Sequence, residues 1–399
     1  MQFKKDLEKP ELKNILLFIM GMLLPAQQMV AQQKTQPTTM QRAVQELPTD
    51  GPLTIRPLLQ QLGCRLLTGK TGSIVAIKPQ TGEILCLATN SPEGFNTKYA
   101  ITRPYPPGST LKTANALTLL SEGLVNRDTA IPCDSVFLDG NIRVKCHKHR
   151  SPIKLVDALA HSCNTWFLVS FASMINDDFA YESHDEAIDT WRAYMRSMGL
   201  GGPIGIDFPG EQGGLLANSN YLKRRYPNGW DGKTVMWAGM GQGDVTVTIL
   251  QLCNLAVSIA NRGTWLPPHI HQETPERPLA ERYKTPRQTK VKPEAYEPVI
   301  EGMRKAVEHG TAYSINTSAY QICGKTGTAE TAGPDHSLFI GFAPMKNPQI
   351  AIAVCIEHGG FGADMAAPMA SLIMEQYLKG DLSKKSEQKA KRLAAIKVK

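Results

Sequence analysis

Segments rich in β-forming residues stand near both ends of this 399-residue chain, and mainly helical patterns fill the long stretch between them. Residues 72–78 and 83–89 predict a hairpin around a Pro-Gln-Thr-Gly turn. Residues 320–329, 337–343 and 350–357 predict three further strands, and the last is nearly all apolar, as in a central strand. The sheet must be assembled from segments distant in sequence, which predicts one α+β domain with flanking helices.

Three amphipathic patterns predict helices over residues 110–122, 249–260 and 365–378. Glycines follow the first two patterns, at Gly123 and Gly263, as they do at helix ends. The composition, 42% hydrophobic and 20% charged, is that of a globular protein. Because no apolar run reaches the roughly 20 residues that a spanning helix needs, a polytopic membrane protein is excluded.

The formal net charge of +8 raises the question of nucleic-acid binding. However, the last 21 residues carry eight basic and two acidic side chains, whereas residues 32–378 carry a net charge of only +1. The near-neutral body argues against a nucleic-acid partner. We expect residues 380–399 to form a solvated basic tail whose charge suits an anionic membrane surface.

The N-terminus has the layout of a secretory signal. Lysines at positions 4, 5, 9 and 13 precede an apolar run over residues 15–24, and small and polar residues follow around Ala31. We interpret residues 1–31 as a signal peptide or weak membrane anchor and residues 32–67 as a linker. The protein is then expected in the periplasm, associated with the inner membrane through this segment or the basic tail.

Most of the eight cysteines lie in apolar runs and are expected to be buried and inert. Cys133 and Cys146 differ, because they lie in a polar stretch that also contains His149. An oxidising compartment favours a disulfide between them. The alternative is a small zinc site of both thiolates and His149, with Asp134 or Asp157 as a further ligand. The spacing matches no standard zinc finger, so disulfide, zinc site and free thiols all stay open.

A serine and a lysine at the start of the first predicted helix are candidate catalytic residues. Ser109 follows a rigid Tyr-Pro-Pro-Gly segment, and Lys112 lies three residues later on the same helix face. The helix N-terminus favours a developing oxyanion, and a lysine in a partly dry site has a lowered pKa and can act as a base. Two other Ser-x-x-Lys patterns, at 151–154 and 386–389, look incidental: one crosses a proline and the other lies in the charged tail.

A second polar motif, Ser162-Cys163-Asn164, interrupts two apolar segments, which a pure core would not favour. Ser162 is suited to relaying a proton and Asn164 to binding a substrate amide. Helix capping is the alternative for both. A second Ser-x-Asn pattern at 314–316 shows how common the pattern is.

A third motif lies on the strand pattern of residues 320–329. Its lysine and hydroxyls suit a substrate carboxylate, and its glycine would admit a ligand backbone; the residues are Lys325, Thr326, Gly327 and Thr328. Another Lys-Thr-Gly precedes the first strand, at 70–72. Neither copy is a nucleotide-binding loop, because Ala319 and Cys64 stand where that loop needs glycine.

The order of these motifs and their flanking residues resembles the transpeptidase domain of elongation-type class B penicillin-binding proteins, over roughly residues 72–378. The flanks that carry the resemblance are YPPGSTLK, SCNTWF, GMGQGDVTVTILQL, GKTGTAE and FIGFAP. It implies a β-lactamase/transpeptidase-like fold with an antiparallel five-stranded sheet and a helical subdomain. The whole transpeptidase domain is expected over residues 68–379. The usual N-terminal pedestal is not expected, because only 47 residues separate the apolar run from the first strand.

The resemblance also implies roles for the motif residues. Ser109 would attack the penultimate D-Ala carbonyl of a peptidoglycan stem peptide, with Lys112 as general base and Ser162 as proton relay. The backbone N–H groups of Ser109 and Thr328 would form the oxyanion hole. The other residues would bind the substrate, Asn164 at an amide and Lys325, Thr326 and Thr328 at the terminal carboxylate.

The implied reaction is a cross-linking that needs no cofactor. The expected partners are stem peptides ending in D-Ala-D-Ala, β-lactams as covalent inhibitors and a membrane glycan polymerase. A D,D-carboxypeptidase or a serine β-lactamase on the same fold stays an alternative, although the chain lacks a Glu-x-x-Leu-Asn motif and has Asn164 where class D β-lactamases have an apolar residue. A non-catalytic β-lactam sensor would require a long spanning segment.

Overall fold

The computed structural model describes residues 47–48, 50–96 and 98–398. Its α-helices are α1 (Pro57–Leu67), α2 (Tyr99–Thr102), α3 (Lys112–Glu122), α4 (Leu155–Ala160), α5 (Asn164–Ile175), α6 (His184–Ser197), α7 (Ser219–Arg225), α8 (Gly232–Val235), α9 (Ile249–Ala260), α10 (Tyr296–Glu308), α11 (Ala366–Lys379) and α12 (Lys384–Ala395). Its strands are β1 (Gly72–Ile77), β2 (Ile84–Ser91), β3 (Gly94–Phe95), β4 (Ala130–Ile131), β5 (Val136–Asp139), β6 (Ile142–Lys145), β7 (Ile153–Lys154), β8 (Leu215–Leu216), β9 (Val245–Thr246), β10 (Thr264–Trp265), β11 (Arg287–Gln288), β12 (Cys323–Ala329), β13 (His336–Ala343) and β14 (Ile350–Ile356).

The main sheet is antiparallel and joins the two ends of the chain. Its order is β12-β13-β14-β1-β2-β3, with Gly72 of β1 opposite Ile356 of β14. All five predicted strands are present, within a few residues of their predicted bounds, and the two-residue β3 adds a sixth at one edge. The predicted α+β fold with an antiparallel five-stranded sheet is confirmed.

Helices cover both faces of the sheet, because every residue of β1, β13 and β14 is buried. The predicted helix α9 packs against β1 and β14 and is itself buried along its whole length. Thr248 and Gln251 form a capping box that fixes its first turn. Four further two-stranded sheets and helices α4 to α8 lie between the two halves of the main sheet in sequence, as the helical subdomain.

The predicted linker is partly a helix. Residues 57–67 form α1, which packs against β2 through buried leucines such as Leu62 and Leu66. The signal peptide or anchor predicted for residues 1–31 and the part of the linker up to residue 46 lie outside the described residues. Within the described part of the chain, no helix is long and apolar enough to cross a membrane.

The basic tail is also structured, which corrects the expectation of a solvated extension. Helix α12 buries Ala390 and Leu393, and its Glu387 forms a two-bond ion pair with Arg65 of α1. The buried Lys70 donates hydrogen bonds to carbonyl groups of Thr68 and, near the end of α12, of Ala394. These two apolar residues, three positions apart, lie on one face of an otherwise charged helix.

Candidate active site

The three motifs of the sequence analysis meet in one cleft of about 360 Å³. It lies between the edge strand β12 and the turns that begin α3 and α5. Five of its lining residues come from the motifs: Ser109, Ser162, Asn164, Thr326 and Thr328. The others are Lys145, Cys146, His147, Met240, Glu330, Asp335 and Phe361. Most of these were missed as site residues, because they lie in loops whose position depends on tertiary packing.

Ser109 lies on a 3-10 turn, Gly108–Leu111, that runs directly into α3. In a 3-10 turn residues three apart are eclipsed, so Lys112 stands on the same side as Ser109. Ser109 is half-buried and reaches the cleft, whereas Lys112 is fully buried. The sequence predicts a helix here, and the turn that carries Ser109 is tighter than an α-helix.

The Lys112 amine joins the first motif to the second. Its Nζ donates to the carbonyl oxygen of Ser162 at 2.9 Å and to Oδ1 of Asn164 at 2.5 Å, and lies 3.4 Å from the Ser162 hydroxyl. Burial lowers the pKa of Lys112 to about 8, against a smaller opposing effect of the Cys163 and Cys146 thiols. An amine with this pKa is partly neutral near neutral pH and can accept a proton.

Ser162 stands in a strained turn between α4 and α5. Its φ is +56°, a left-handed conformation that costs a non-glycine residue about 1–3 kcal/mol and that clusters at functional sites. The helix-capping interpretation of Ser162 and Asn164 does not hold, because the N-cap of α5 is Cys163, whose sulfur accepts from the Trp166 N–H. Asn164 instead donates to the Lys145 carbonyl while accepting from Lys112.

The third motif occupies edge strand β12. Thr326 and Thr328 line the cleft, and the Thr326 hydroxyl lies 2.6 Å from that of Thr311. Lys325 is fully buried behind the cleft wall, where its Nζ donates to the carbonyl of Thr326. Burial, and then the nearby Lys112, hold the pKa of Lys325 well below its usual value.

Gly327 also has a packing role that the sequence did not predict. A β-carbon on it would lie 2.8 Å from Cγ2 of Thr110 and 3.2 Å from the carbonyl oxygen of Pro107. The glycine therefore admits the close approach of the turn that carries Ser109. Gly108 mirrors it, since a β-carbon there would meet the Thr328 carbonyl oxygen at 2.5 Å.

The additional motif copies lie outside the cleft. Lys70 is buried against the tail helix, Lys154 forms an ion pair with Asp128, and Lys389 donates to Ser371. This placement agrees with the interpretation of these additional copies as incidental.

A group of thiols lies directly behind the second motif. The sulfur atoms of Cys133 and Cys163 and a ring nitrogen of His149 lie within 4.8 Å of one another. Cys146 adjoins them, because its sulfur and that of Cys133 contact the Thr165 hydroxyl at 3.2 and 3.1 Å. Hydrogen bonds from Cys163 and then Thr165 lower the pKa of Cys146, although burial opposes this.

Of the three alternatives left open for Cys133 and Cys146, the structure has free thiols and no disulfide, and the Thr165 hydroxyl contacts both sulfurs. Asp157, considered as a ligand, is paired with Lys305. Cys163 was missed as a member of the group. Its place in a polar triplet was the only signal in the sequence.

The family model described as "Penicillin binding protein transpeptidase domain" matches residues 72–375. The chain belongs to this family. The match includes all three motifs and both halves of the main sheet.

Individual relatives agree. The chain is 32% identical over 363 residues to the peptidoglycan D,D-transpeptidase MrdA of Acinetobacter baumannii, covering 78% of this chain and 52% of that relative. The structure of Pseudomonas aeruginosa PBP2 in complex with WCK 5153 is 29% identical, with a TM-score of 0.72, covering 84% of this chain and 77% of that one. A chain from a peptidoglycan synthase complex that coordinates polymerization and crosslinking is 27% identical, with a TM-score of 0.70, covering 83% of this chain and 63% of that one. This chain spans roughly half the length of the curated relatives it matches.

Proposed function

We propose that this protein is a serine-type peptidoglycan D,D-transpeptidase that β-lactams acylate at Ser109. One observation carries the proposal: the buried amine of Lys112 is bonded to Ser162 and Asn164 and shares a side of the 3-10 turn with Ser109. Membership of the transpeptidase family and the names of the relatives support the same reaction.

In the first half-reaction, Ser109 Oγ attacks the carbonyl carbon of the penultimate D-Ala. The neutral Lys112 amine takes the hydroxyl proton as the new C–O bond forms. The intermediate then collapses, the peptide C–N bond breaks and terminal D-Ala leaves. Ser162 passes the proton from Lys112 to the leaving amine, which is consistent with the 3.4 Å between Lys112 Nζ and the Ser162 hydroxyl.

The second half-reaction returns the enzyme to its starting state. An amine of a neighbouring stem peptide attacks the carbonyl carbon of the Ser109 ester; the ester C–O bond breaks as the new amide bond forms, and the proton that the amine loses passes through Lys112 to the serine oxygen. Backbone N–H groups of Ser109 and Thr328 stabilise the oxyanion in both halves. The cleft is lined by the basic Lys145 and by the acidic Glu330 and Asp335. This lining suits a peptide substrate that carries both positive and negative charges.

Substrate binding is divided between the two walls of the cleft. Asn164 binds a substrate amide, and the hydroxyls of Thr326 and Thr328 bind the terminal carboxylate at the edge strand. Lys325 acts behind them, as a buried amine that becomes protonated when the carboxylate arrives. An anion nearby raises the pKa of an amine, which supplies the driving force for that proton uptake.

A labelled penicillin tests the proposal. The wild-type protein is expected to form a long-lived adduct, located at Ser109 by mass spectrometry of peptides, and Ser109→Ala is expected to form none. Ser386→Ala, in an incidental Ser-x-x-Lys copy, is the matched control and should label like the wild type. Turnover of penicillin at several molecules per second would identify a β-lactamase instead. A folded wild-type protein that forms no adduct would disprove the assignment.

A stem-peptide assay distinguishes the two related activities. Stem peptides ending in D-Ala-D-Ala are incubated with the protein, and the products are separated by mass spectrometry. Dimers joined through a new amide bond are expected of a transpeptidase. Trimmed monomers that lack only one D-Ala, with no dimers, would identify a D,D-carboxypeptidase.

We also propose that the thiol group behind the second motif binds one structural zinc ion through Cys133, Cys146, Cys163 and His149. Three thiolates and one imidazole form a standard tetrahedral zinc site. The donor set fits: His149 Nδ1 is oriented by the Arg150 carbonyl, and its buried Nε2 has no hydrogen-bond partner among the described residues. The ion would fix the turn that carries Ser162 and Asn164, and no catalytic step uses it.

Metal analysis tests the zinc site. The purified protein is expected to contain one zinc per chain and Cys133→Ser much less, with a lower melting temperature. Cys64→Ser, at a buried cysteine of α1, is the control that should retain zinc. A wild-type protein without zinc and with two fewer free thiols would support the disulfide, and eight free thiols without zinc would contradict both.

The remaining organisation follows the sequence. We propose a signal peptide or weak anchor over residues 1–31, the transpeptidase domain over residues 68–379 and residence in the periplasm. The similarity to a chain of a peptidoglycan synthase complex supports a glycan polymerase as partner. Fractionation of cells that express the full chain tests the location, and co-purification with a polymerase tests the partner.

A further inference from the structure

A buried carboxylate lies beside the cleft and outside all three motifs. Glu357 follows β14, and only 10% of its side chain is exposed. Its Oε1 accepts hydrogen bonds from the hydroxyls of Tyr105 at 2.7 Å and Tyr99 at 3.0 Å, and lies 3.2 Å from Nε of Arg103. Burying a charge is costly, and packed apolar residues would often be as stable, so its use here calls for a reason beyond stability.

One of its partners begins the segment that leads directly to the nucleophile. Tyr105 starts the nucleophile segment, residues 105–108, which ends directly before Ser109. Its backbone pairs with Val247 in both directions, at 2.8 and 2.9 Å, and the Gly108 N–H donates to the Gly241 carbonyl. The hydrogen bond from the Tyr105 hydroxyl to Glu357 adds a side-chain contact that holds this segment against the sheet.

On its other side, Glu357 leads into the loop that reaches the cleft at Phe361. The loop is packed onto β12, because a β-carbon on Gly362 would lie 2.5 Å from the carbonyl oxygen of Gly327. It is tied to the next loop by the hydrogen bond from Gly360 N–H to the Asp335 carbonyl. Glu357 thus joins the nucleophile segment to the wall that carries the third motif.

We infer that Glu357 is a positioning residue for acylation: through Tyr105 it holds Ser109 at a fixed distance from the edge strand β12. The inference rests on the proposed function, because it concerns the rate at which Ser109 is acylated. Glu357 touches no substrate, and its effect passes through Tyr105. Displacing a reacting atom by about 1 Å is enough to slow a reaction substantially.

The experiment measures penicillin acylation at several penicillin concentrations, which separates the acylation rate constant k2 from the dissociation constant Kd. Tyr105→Phe removes one hydroxyl and keeps the ring that packs against His336. It is expected to lower k2 about tenfold, as expected for loss of a hydrogen bond to a charged group, and to leave Kd within about twofold.

Tyr99→Phe is the matched control. It removes the other hydroxyl from the same oxygen, but Tyr99 lies on α2 and outside the nucleophile segment, so k2 should fall less than about twofold. Glu357→Gln keeps an oxygen that Tyr105 can donate to, and its k2 is expected to lie between those of the wild type and Glu357→Ala. Melting temperatures are measured for every variant, and k2 refers to folded protein.

Equal losses of k2 in Tyr105→Phe and Tyr99→Phe would overturn the inference, because they would indicate a general structural role. So would a changed Kd at constant k2, or an unchanged k2 in Tyr105→Phe. If Glu357→Ala does not fold, the comparison of the two tyrosine variants still decides. A wild-type protein that forms no adduct at Ser109 would instead refute the proposed function, and the inference with it.

Discussion

The exchange Asn164→Asp tests whether Lys112 acts as the base. Asn164 Oδ1 lies 2.5 Å from Lys112 Nζ, so aspartate would place a carboxylate at nearly the same position without changing the volume. A carboxylate at this distance stabilises the protonated amine and raises its pKa, typically by about 1–3 units. The pKa of Lys112 would then rise from about 8 to a value near that of a free lysine.

The magnitude follows from the fraction of neutral amine. With a pKa of about 8, roughly one-tenth of Lys112 is neutral at pH 7, against about 0.03% for an unperturbed lysine. The acylation rate of the wild type should therefore rise about tenfold per pH unit up to pH 8 and then level off. In Asn164→Asp the rate at pH 7 should fall roughly 10- to 1,000-fold and recover as the pH is raised above 9.

Asn164→Ala is the control for this exchange. It also loses the amide group that donates to the Lys145 carbonyl, so that loss cancels in the comparison. Asn164→Ala adds no charge. The pH midpoint of its acylation rate should therefore stay near that of the wild type, even if the acylation rate itself is lower. The assay is the rate of penicillin acylation between pH 6 and pH 10. A wild-type rate independent of pH, or equal midpoints in the two variants, would refute the role of Lys112.

Three further outcomes can be measured. Gly327→Ala should destabilise the fold by about 1–3 kcal/mol and slow acylation, because the new methyl would meet Thr110; denaturant unfolding and adduct formation report the two effects. Ser162→Gly should slow acylation but raise the melting temperature, because it relieves a φ of +56°; a lower melting temperature would contradict the strain. Deleting residues 381–399 should cost about 2–4 kcal/mol of unfolding free energy, since Leu393 and Ala390 lose their contacts; unchanged stability would mean that α12 does not dock in solution.

Several elements were predictable because their signals are local. The strands around residues 72–89 and 323–356 follow from runs of β-branched and apolar residues, and α9 from its apolar periodicity. The docking of α12 was not expected, since the pattern of this helix is mostly charged and its stability comes from contacts with α1. The linker prediction failed at α1 for the same reason, because its partner β2 comes later in the chain.

The sequence by itself determined the kind of chemistry. Motif residues have identities that reactivity dictates: a hydroxyl at Ser109, an amine at Lys112 and an amide at Asn164. Their order along the chain identified the family, which the match over residues 72–375 supports.

Only the tertiary structure decided how these groups are used. It brought the Lys112 amine into hydrogen-bond contact with Ser162 and Asn164. It packed the turn that carries Ser109 against Gly327. It also brought Cys163 close to Cys133 and His149. It also linked Glu357 to the nucleophile segment, across some 250 residues of chain. The physical reason is that each position of the sequence specifies one side chain by itself. A shifted pKa, a close approach of two backbone segments or a shared metal ion depends on neighbouring residues, and only tertiary packing brings those neighbours together.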